Sequence, residues 1–243
     1  MAGISTITTI TNINFSMSSD PTQLANLRLW QLISPALPVG AYAYSGGLES
    51  ALQADWLTDA DEVEQWIRGL VQHSLAYLDV PVLQRCYTAW SNADSEQLLY
   101  WSHFIIAARE ASELRAEDLH LGRALATLLS DLDIPEAQAY RLSNTAPFVC
   151  LLALAGVKWQ VPVDQLATGL LWSWSENQVA AAIKLMPLGQ TAGQKILLRV
   201  AQVIPAAVAT GLALDDDEIG VLAPGLGIAS ALHETQYSRL FRS

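Results

Sequence analysis

Hydrophobic positions along the chain recur with the spacing of an α-helix, and no segment sustains the alternation typical of a β-strand. Thr58 and Asp61 form a pair that predicts the start of one helix. Seven apolar residues then share one helical face: Val63, Trp66, Ile67, Leu70, Val71, Leu75 and Leu78. Pro81 is predicted to interrupt this helix or to start the next one.

Further start and stop signals divide the rest of the chain into helices. Asp94, with Gln97 three residues later, opens a helix that runs through Trp101 and Ile105. The stretch 107–130 is rich in strong helix formers and is the most regular. Later helices are predicted at 135–142, 147–156, 162–187, 193–212 and 228–234, with a bend at Pro205 in the helix at 193–212. Together these patterns predict an all-α, single-domain helical bundle of about ten helices.

The first 23 residues differ from the rest of the chain. They are rich in Ser, Thr, Ile and Asn, they contain no Lys or Arg, and they lack the apolar core of a signal peptide. We therefore expect residues 1–23 to form a disordered or loosely docked arm. A single all-helical domain is expected over 24–243, in a cytoplasmic protein.

The chain is unusually apolar for its size. Hydrophobic residues make up 51% and charged residues 15%, against about 25% charged residues in a typical soluble domain. A membrane-spanning helix needs about 20 consecutive, mostly apolar residues. The best window, 196–214, contains Arg199, Gln202 and Pro205. The apolar excess is therefore predicted to fill a core and a subunit interface.

Charge and cysteine content exclude further classes of protein. The net charge of −11 leaves no basic footprint for nucleic acid, whereas an acidic surface suits a basic protein partner. Cys86 and Cys150 are not in a CxxC or metal-ligand spacing. They are predicted to be small buried residues in a reducing compartment.

Three motifs that could carry chemistry are each incomplete. The His-Glu pair at 233–234 begins like a zinc-protease motif, but Tyr237 stands where the second His is required. Glu117 and His120 have the spacing of a helical di-metal site without its second element. The segment 224–227 lacks the lysine of a phosphate-binding loop. The sequence predicts no catalytic, cofactor-binding or metal-binding residues.

Two segments have unusual patterns for simple scaffolding. The segment 34–49 reads SPALPVGAYAYSGGLE, and its tyrosines could either pack into the core or form a recognition surface. The segment 184–190 reads KLMPLGQ and places Lys184, one of three lysines, at a helix end. This lysine could either offset the helix dipole or face a partner. Spacing alone favours the structural interpretation of both segments.

Four motifs in order resemble the UreF family of urease accessory proteins. The family patterns are SPxLPxGxxxxSxGLE, a central ARE-x-x-ELR helix, WSW-x-x-NQV-x-AA-x-K-x-x-PLGQ-x-x-GQ and a C-terminal TQ-x-SRLFRS. The matching segments are 34–50, 107–125, 172–194 and 233–243. The resemblance covers about 24–243. Gly46 and His120 depart from the residues expected at their positions.

The resemblance implies an all-α homodimer that is not an enzyme. It implies a complex with UreD (also called UreH), the GTPase UreG and the apo-urease subunits, in which UreF bridges UreD and UreG and couples GTPase action to nickel insertion. No cofactor, nucleic acid or membrane is implied. An unrelated helical scaffold or chaperone-like partner of another enzyme is the alternative, and a helical enzyme with a core metal site is a third possibility.

The resemblance also implies which residues face partners. Tyr42 and Arg239 are expected to form a mutually supporting pair on the UreG-binding surface, with Lys184 on the same side. The C-terminal tail is expected to become ordered against UreD. The full set of predicted partner-binding residues is Tyr42, Tyr44, Ser45, Glu49, Lys184, Gln190, Tyr237, Arg239 and Arg242.

Overall fold

Eleven α-helices and no β-strand occur in residues 20–220 and 223–243, the part of the chain that the computed structural model describes. The all-α prediction is therefore confirmed. The helices are α1 (Pro21–Ile33), α2 (Leu48–Gln53), α3 (Ala60–Leu70), α4 (Asp79–Ser91), α5 (Ser95–Ala108), α6 (Ser112–Asp131), α7 (Phe148–Lys158), α8 (Val163–Leu185), α9 (Gln190–Ala201), α10 (Ile204–Ala213) and α11 (Pro224–Glu234). A π-helical turn, Val71–Leu75, follows α3, and 3-10 helices lie at Ala41–Ala43, Pro135–Tyr140 and Asp216–Glu218.

Helices α7 and α8 form the centre of the bundle. All residues from 149 to 156 of α7 are buried, and α7 packs between α4 and α6. Helix α8 contacts α1, α2, α9 and α10. Because each buried large aliphatic side chain contributes about 1.5–3 kcal/mol, these two helices account for much of the apolar excess in the sequence.

Helix α1 begins before residue 24, where the helical domain was expected to start. Asp20 caps it by accepting a hydrogen bond from the Thr22 N–H at 3.0 Å, and Pro21 occupies the first turn. Proline suits this position because its missing N–H would have no partner there. Residues 21–23, which the sequence analysis assigned to the N-terminal arm, therefore belong to this helix. Residues 1–19 lie outside the described part of the chain.

Two predicted helix starts can be compared with the structure. Asp94 caps α5 as predicted, because its Oδ1 accepts the Gln97 N–H at 3.0 Å. The start of α3 is different. Asp59, not Thr58, accepts the N–H groups of Asp61 and Glu62. Asp59 provides this cap because its side chain is one residue closer to the unpaired amides of the first turn.

The helix predicted at 193–212 is divided into α9 and α10. The break lies at residues 202–203, and Pro205 lies in the first turn of α10, where it cannot continue a preceding helix. The combined segment Gln190–Ala213 is long and apolar enough to cross a membrane by length and composition, with 44% of its most apolar window buried. It packs against α8 and α4, as core helices do.

Cys86 and Cys150 are buried free thiols, as predicted. Their sulfur atoms lie 2.9 Å apart between α4 and α7. Burial raises the pKa of Cys86 well above its ordinary value, which keeps the thiol protonated and unreactive.

The close packing of α6 against the start of α7 predicts a strong effect of one methyl group. A Cβ atom at Gly122 would lie 1.7 Å from the Ala146 carbonyl oxygen, so Gly122→Ala should lower the free energy of unfolding by about 3 kcal/mol. A Cβ atom at Gly69 in α3 would meet nothing within 4 Å. Gly69→Ala should therefore be neutral or stabilising by about 0.5–1 kcal/mol. Urea denaturation measures both, and equal midpoints for the two variants would contradict the packing.

Candidate functional site

The segment from Ser34 to Gly47, here called the signature loop, is held over the middle of α8. Asn177 donates hydrogen bonds to the carbonyl oxygens of Ala41 and Tyr44, each at 3.1 Å. Gln178 donates to the Ser45 carbonyl at 2.9 Å. Two motifs that are 130 residues apart in sequence are thus joined by side-chain amides, which satisfy carbonyl groups that a loop leaves unpaired.

Glycine is required at two turns of the signature loop. Gly40 and Gly47 have φ angles of 82° and 78°, in the left-handed region that side chains disfavour. A Cβ atom at Gly47 would also lie 3.2 Å from the Ser230 nitrogen. Gly47 therefore permits α2 to approach α11 closely, and it sets the position of Glu49 in the first turn of α2.

Residues 239–243, here called the C-terminal segment, dock onto α2 and the signature loop. The Glu49 carboxylate accepts the backbone N–H groups of Leu240 and Phe241 at 2.7 and 2.8 Å. The Arg242 N–H donates to the Ala43 carbonyl at 2.9 Å, and the Ser45 N–H donates to the Ser243 carbonyl at 2.9 Å.

These contacts correct the expectation that the tail needs a partner to become ordered. Phe241 and Ser243 are buried within their own chain, and the Lys184 ammonium lies 5.5 Å from the centre of the Phe241 ring. Such a cation–π contact is favourable. The segment gains these contacts intramolecularly, so its order does not depend on binding.

A chain of charged side chains extends from Glu49 to the C-terminal segment. His233 is fully buried, with Nε2 at 3.3 Å from Glu49 Oε2 and Nδ1 at 2.7 Å from Glu113 Oε2. The other oxygen of Glu113 accepts a hydrogen bond from Arg239 Nη1 at 2.7 Å. Arg239 is thus paired with Glu113. No hydrogen bond between Arg239 and Tyr42 occurs in the described part of the chain, where the guanidinium donates to a carboxylate, which is a strong acceptor.

The predicted site residues fall into two groups by exposure. Tyr44, Ser45 and Glu49 are buried, so they shape the site from within and cannot touch a partner in this conformation. The six exposed residues are Tyr42, Lys184, Gln190, Tyr237, Arg239 and Arg242. All but Gln190 belong to or lie beside the signature loop and the C-terminal segment.

Several residues of the site had no signal in the sequence analysis. Asn177 and Gln178 lie within a quoted motif, yet only their contacts reveal their role. Glu113 and His233 become linked only when α6 and α11 meet. The one hint in the sequence was that Glu113 and His233 each lie inside one of the four motifs. Polar residues at half-buried helix positions need partners.

Large apolar side chains remain exposed beside the C-terminal segment. Ile228 and Leu232 lie one helical turn apart on α11 and are 54% and 47% exposed. Tyr237 and Leu240 follow in the chain and are fully and 63% exposed. Exposed apolar groups that lie together are typical of interaction sites. We call these four residues the α11–tail surface.

A buried ion cluster lies beneath the site. Arg109 contacts Asp79 at 2.6 Å and Asp118 at 3.0 Å, and Asp118 also accepts the first N–H of α7, from Phe148, at 2.7 Å. Burial raises the pKa of Asp79, although Arg109 acts to lower it. Burial acts to lower the pKa of Arg109, but the two carboxylates outweigh it and raise the pKa.

The cluster forms part of the polar wall of a partly open cavity of about 360 Å³. Most of its wall is apolar, from α1, α8 and neighbouring helices, and Tyr42 and Gly46 of the signature loop lie at its edge. In residues 20–220 and 223–243, no group of three His, Cys, Asp or Glu side chains is arranged to hold a metal ion.

Removal of the Glu49 carboxylate should release the C-terminal segment. Glu49→Ala loses two charge-assisted hydrogen bonds worth about 1.5–3 kcal/mol each. We therefore expect trypsin to cleave the native protein after Arg239 and Arg242 at least about tenfold faster, as measured by mass spectrometry. Glu96→Ala is the matched control, since Glu96 lies in the first turn of α5 and is exposed. Equal cleavage of the two variants would contradict the docking.

Glu117 should make stability depend on pH near neutrality. Burial raises its pKa to about 7, although the hydrogen bond from Ser243 and the charge of Arg109 act to lower it, and Asp118 and Asp79 add to the rise. The pKa of Glu117 in the folded state exceeds its value in the unfolded state. The contribution of protonated Glu117 to stability is therefore complete below about pH 4.5 and is lost as the pH rises through about 7.

We therefore compare the wild-type protein with Glu117→Gln, which does not titrate. When the pH is raised from 5.5 to 8, the free energy of unfolding of the variant should increase by about 1–3 kcal/mol relative to that of the wild type. This range allows for solvent screening of the Glu117 charge, because the side chain is partly exposed. Thermal unfolding at the two pH values measures this difference. A gap that stays constant with pH would contradict the assignment.

Comparisons with known proteins agree with the four motifs. The sequence profile of the family described as UreF matches residues 57–201. "Urease accessory protein UreF" of Alkalilimnicola ehrlichii is 54% identical over 90% of this chain and 96% of its own length. Proteins with the same name from Teredinibacter turnerae and Hahella chejuensis are 49% and 45% identical, over 89% and 90% of this chain and 98% and 99% of their own lengths.

Proposed function

Because the chain belongs to the UreF family of urease accessory proteins, we propose that it is a non-enzymatic scaffold of urease maturation. In this role it bridges UreD (UreH) and the GTPase UreG, and it couples GTPase action to the insertion of nickel into apo-urease. It acts in the cytoplasm. The proposal goes beyond the names of the relatives, which state only that they are urease accessory proteins.

The joining of the signature loop to the C-terminal segment is the observation that carries the proposal. Glu49, Ser45 and Asn177 use their polar groups to hold backbone within the chain. What this arrangement leaves outside is a surface with Tyr42 and Arg239 exposed. Tyrosine and arginine are the residues most enriched at the energetic centres of protein interfaces, so the surface is suited to docking.

We assign the two parts of this surface to different partners. Tyr42, Arg239 and Lys184 carry polar and cationic groups, and we assign them to UreG. The α11–tail surface is apolar, and we assign it to UreD. An apolar patch of this kind supports a long-lived contact, whereas charged groups at a rim mainly govern association rate and specificity.

The proposed complex also contains a second copy of this chain. Leu24, Leu27 and Trp30 lie on the outer side of α1 and are 45%, 56% and 63% exposed. We propose that the outer side of α1 contributes to the homodimer.

Arg239→Ala tests the assignment of UreG. Arg239 is 40% exposed on the side chain and forms one ion pair, so its loss should change the melting temperature by no more than about 2 °C. Recovery of UreG in a pull-down should fall at least about tenfold, while recovery of UreD should be unchanged.

Arg68→Ala is the matched control, because Arg68 is also 40% exposed and forms one ion pair, with Glu64. It should recover UreG like the wild type. Unchanged recovery of UreG by Arg239→Ala would remove this residue from the interface. Co-expression of the urease genes with and without this chain tests the wider role, through urease activity and bound nickel. Equal activity and nickel content in both would contradict it.

A further inference from the structure

His233 lies fully buried at the point where α2, α6 and α11 meet. Each of its ring nitrogens faces a carboxylate oxygen, Nδ1 facing Glu113 at 2.7 Å and Nε2 facing Glu49 at 3.3 Å. An ionised carboxylate can only accept hydrogen bonds. With both carboxylates ionised, both nitrogens donate and the ring is an imidazolium cation.

Each carboxylate that contacts His233 also holds the C-terminal segment, at a different point. Glu113 accepts from the Arg239 side chain at 2.7 Å. Glu49 accepts from the backbone of Leu240 at 2.7 Å and of Phe241 at 2.8 Å. No hydrogen bond joins His233 to residues 239–243 within the described part of the chain, so any effect on the segment passes through the two carboxylates.

The charges of this arrangement balance only when His233 is protonated. Glu49 and Glu113 contribute two negative charges, and Arg239 supplies one positive charge. A neutral ring would leave one carboxylate facing a nitrogen lone pair, which is a costly arrangement around a fully buried ring. The imidazolium therefore sets the separation and orientation of both carboxylates.

We propose that His233 is a positioning residue for the partner-binding surface, acting as a doubly donating imidazolium that aligns Glu49 and Glu113 to hold the C-terminal segment. The consequence for partners rests on the proposed function. The order of the segment itself is a property of this chain alone and can be measured without UreG or UreD.

Two substitutions separate the contact of His233 with Glu113 from its contact with Glu49. The amide nitrogen of His233→Asn can replace Nδ1, so this variant keeps the donor to Glu113 and loses the donor to Glu49. The amide nitrogen of His233→Gln can replace Nε2 and has the opposite effect. We expect His233→Asn to keep the Arg239 side-chain N–H signal in NMR spectra but to lose at least about tenfold of the exchange protection at Leu240 and Phe241.

His233→Gln should keep the protection at Leu240 and Phe241 and lose the ordered Arg239 signal. His233→Ala should lose both, and His103→Ala, at an exposed histidine of α5, should lose neither. Wild-type behaviour of all the His233 variants would overturn the proposal. The proposal would also be overturned if the Asn and Gln variants lost the Arg239 signal and the protection at Leu240 and Phe241 to the same extent. A purely structural role of His233 predicts this equal loss.

A measurement on the wild-type protein removes any dependence on how the variants fold. Nitrogen-15 NMR of the histidine-labelled chain at pH 7 should show both ring nitrogens of His233 protonated. A neutral ring with one unprotonated nitrogen would overturn the proposal. If instead the segment behaves as expected but UreG and UreD fail to bind the wild-type chain, the proposed function is wrong and the positioning role stands.

Discussion

The bond between the Glu49 carboxylate and the N–H groups of Leu240 and Phe241 is the interaction on which the candidate site depends. It joins the two ends of the described chain across about 190 residues. A buried carboxylate is costly unless its lone pairs are occupied, and these two N–H groups with His233 occupy them. Release of the C-terminal segment would expose Phe241 and leave Glu49 without two of its donors. The segment and the start of α2 are therefore stable as one unit.

The packing around this bond explains why the motifs contain both glycines and amides. Gly47 permits α2 and α11 to approach to a distance that brings Glu49 to His233, and Gly40 turns the signature loop back over α8. Asn177 and Gln178 then satisfy three carbonyl groups of that loop. The residues that resemble a family motif are, in this respect, the ones that fix the loop and the segment against each other.

Periodicity and local caps predicted most helices, because a helix is stabilised by contacts within four residues. They failed where distant contacts decide the outcome. The amphipathic pattern of 193–212 continues across the break at residues 202–203, so it did not reveal two helices. Arg239 and Glu113 are 126 residues apart, and no spacing rule relates them. Glu49 has a charged group that suits a surface, and only the docking of the C-terminal segment shows why it is buried.

Most polar groups of this site hold parts of the chain in place. Glu49, Glu113 and His233 are a set that could serve acid–base chemistry, but each is engaged by another group of the chain, and His233 has no exposed surface. A general acid or base needs a free position within hydrogen-bond distance of a substrate. The exposed groups at this site include Tyr42, Lys184, Arg239, Arg242 and the α11–tail surface. Internal charges that fix a segment, with aromatic and apolar groups left outside it, suit the docking role proposed for this surface, because preorganisation reduces the entropy lost on binding.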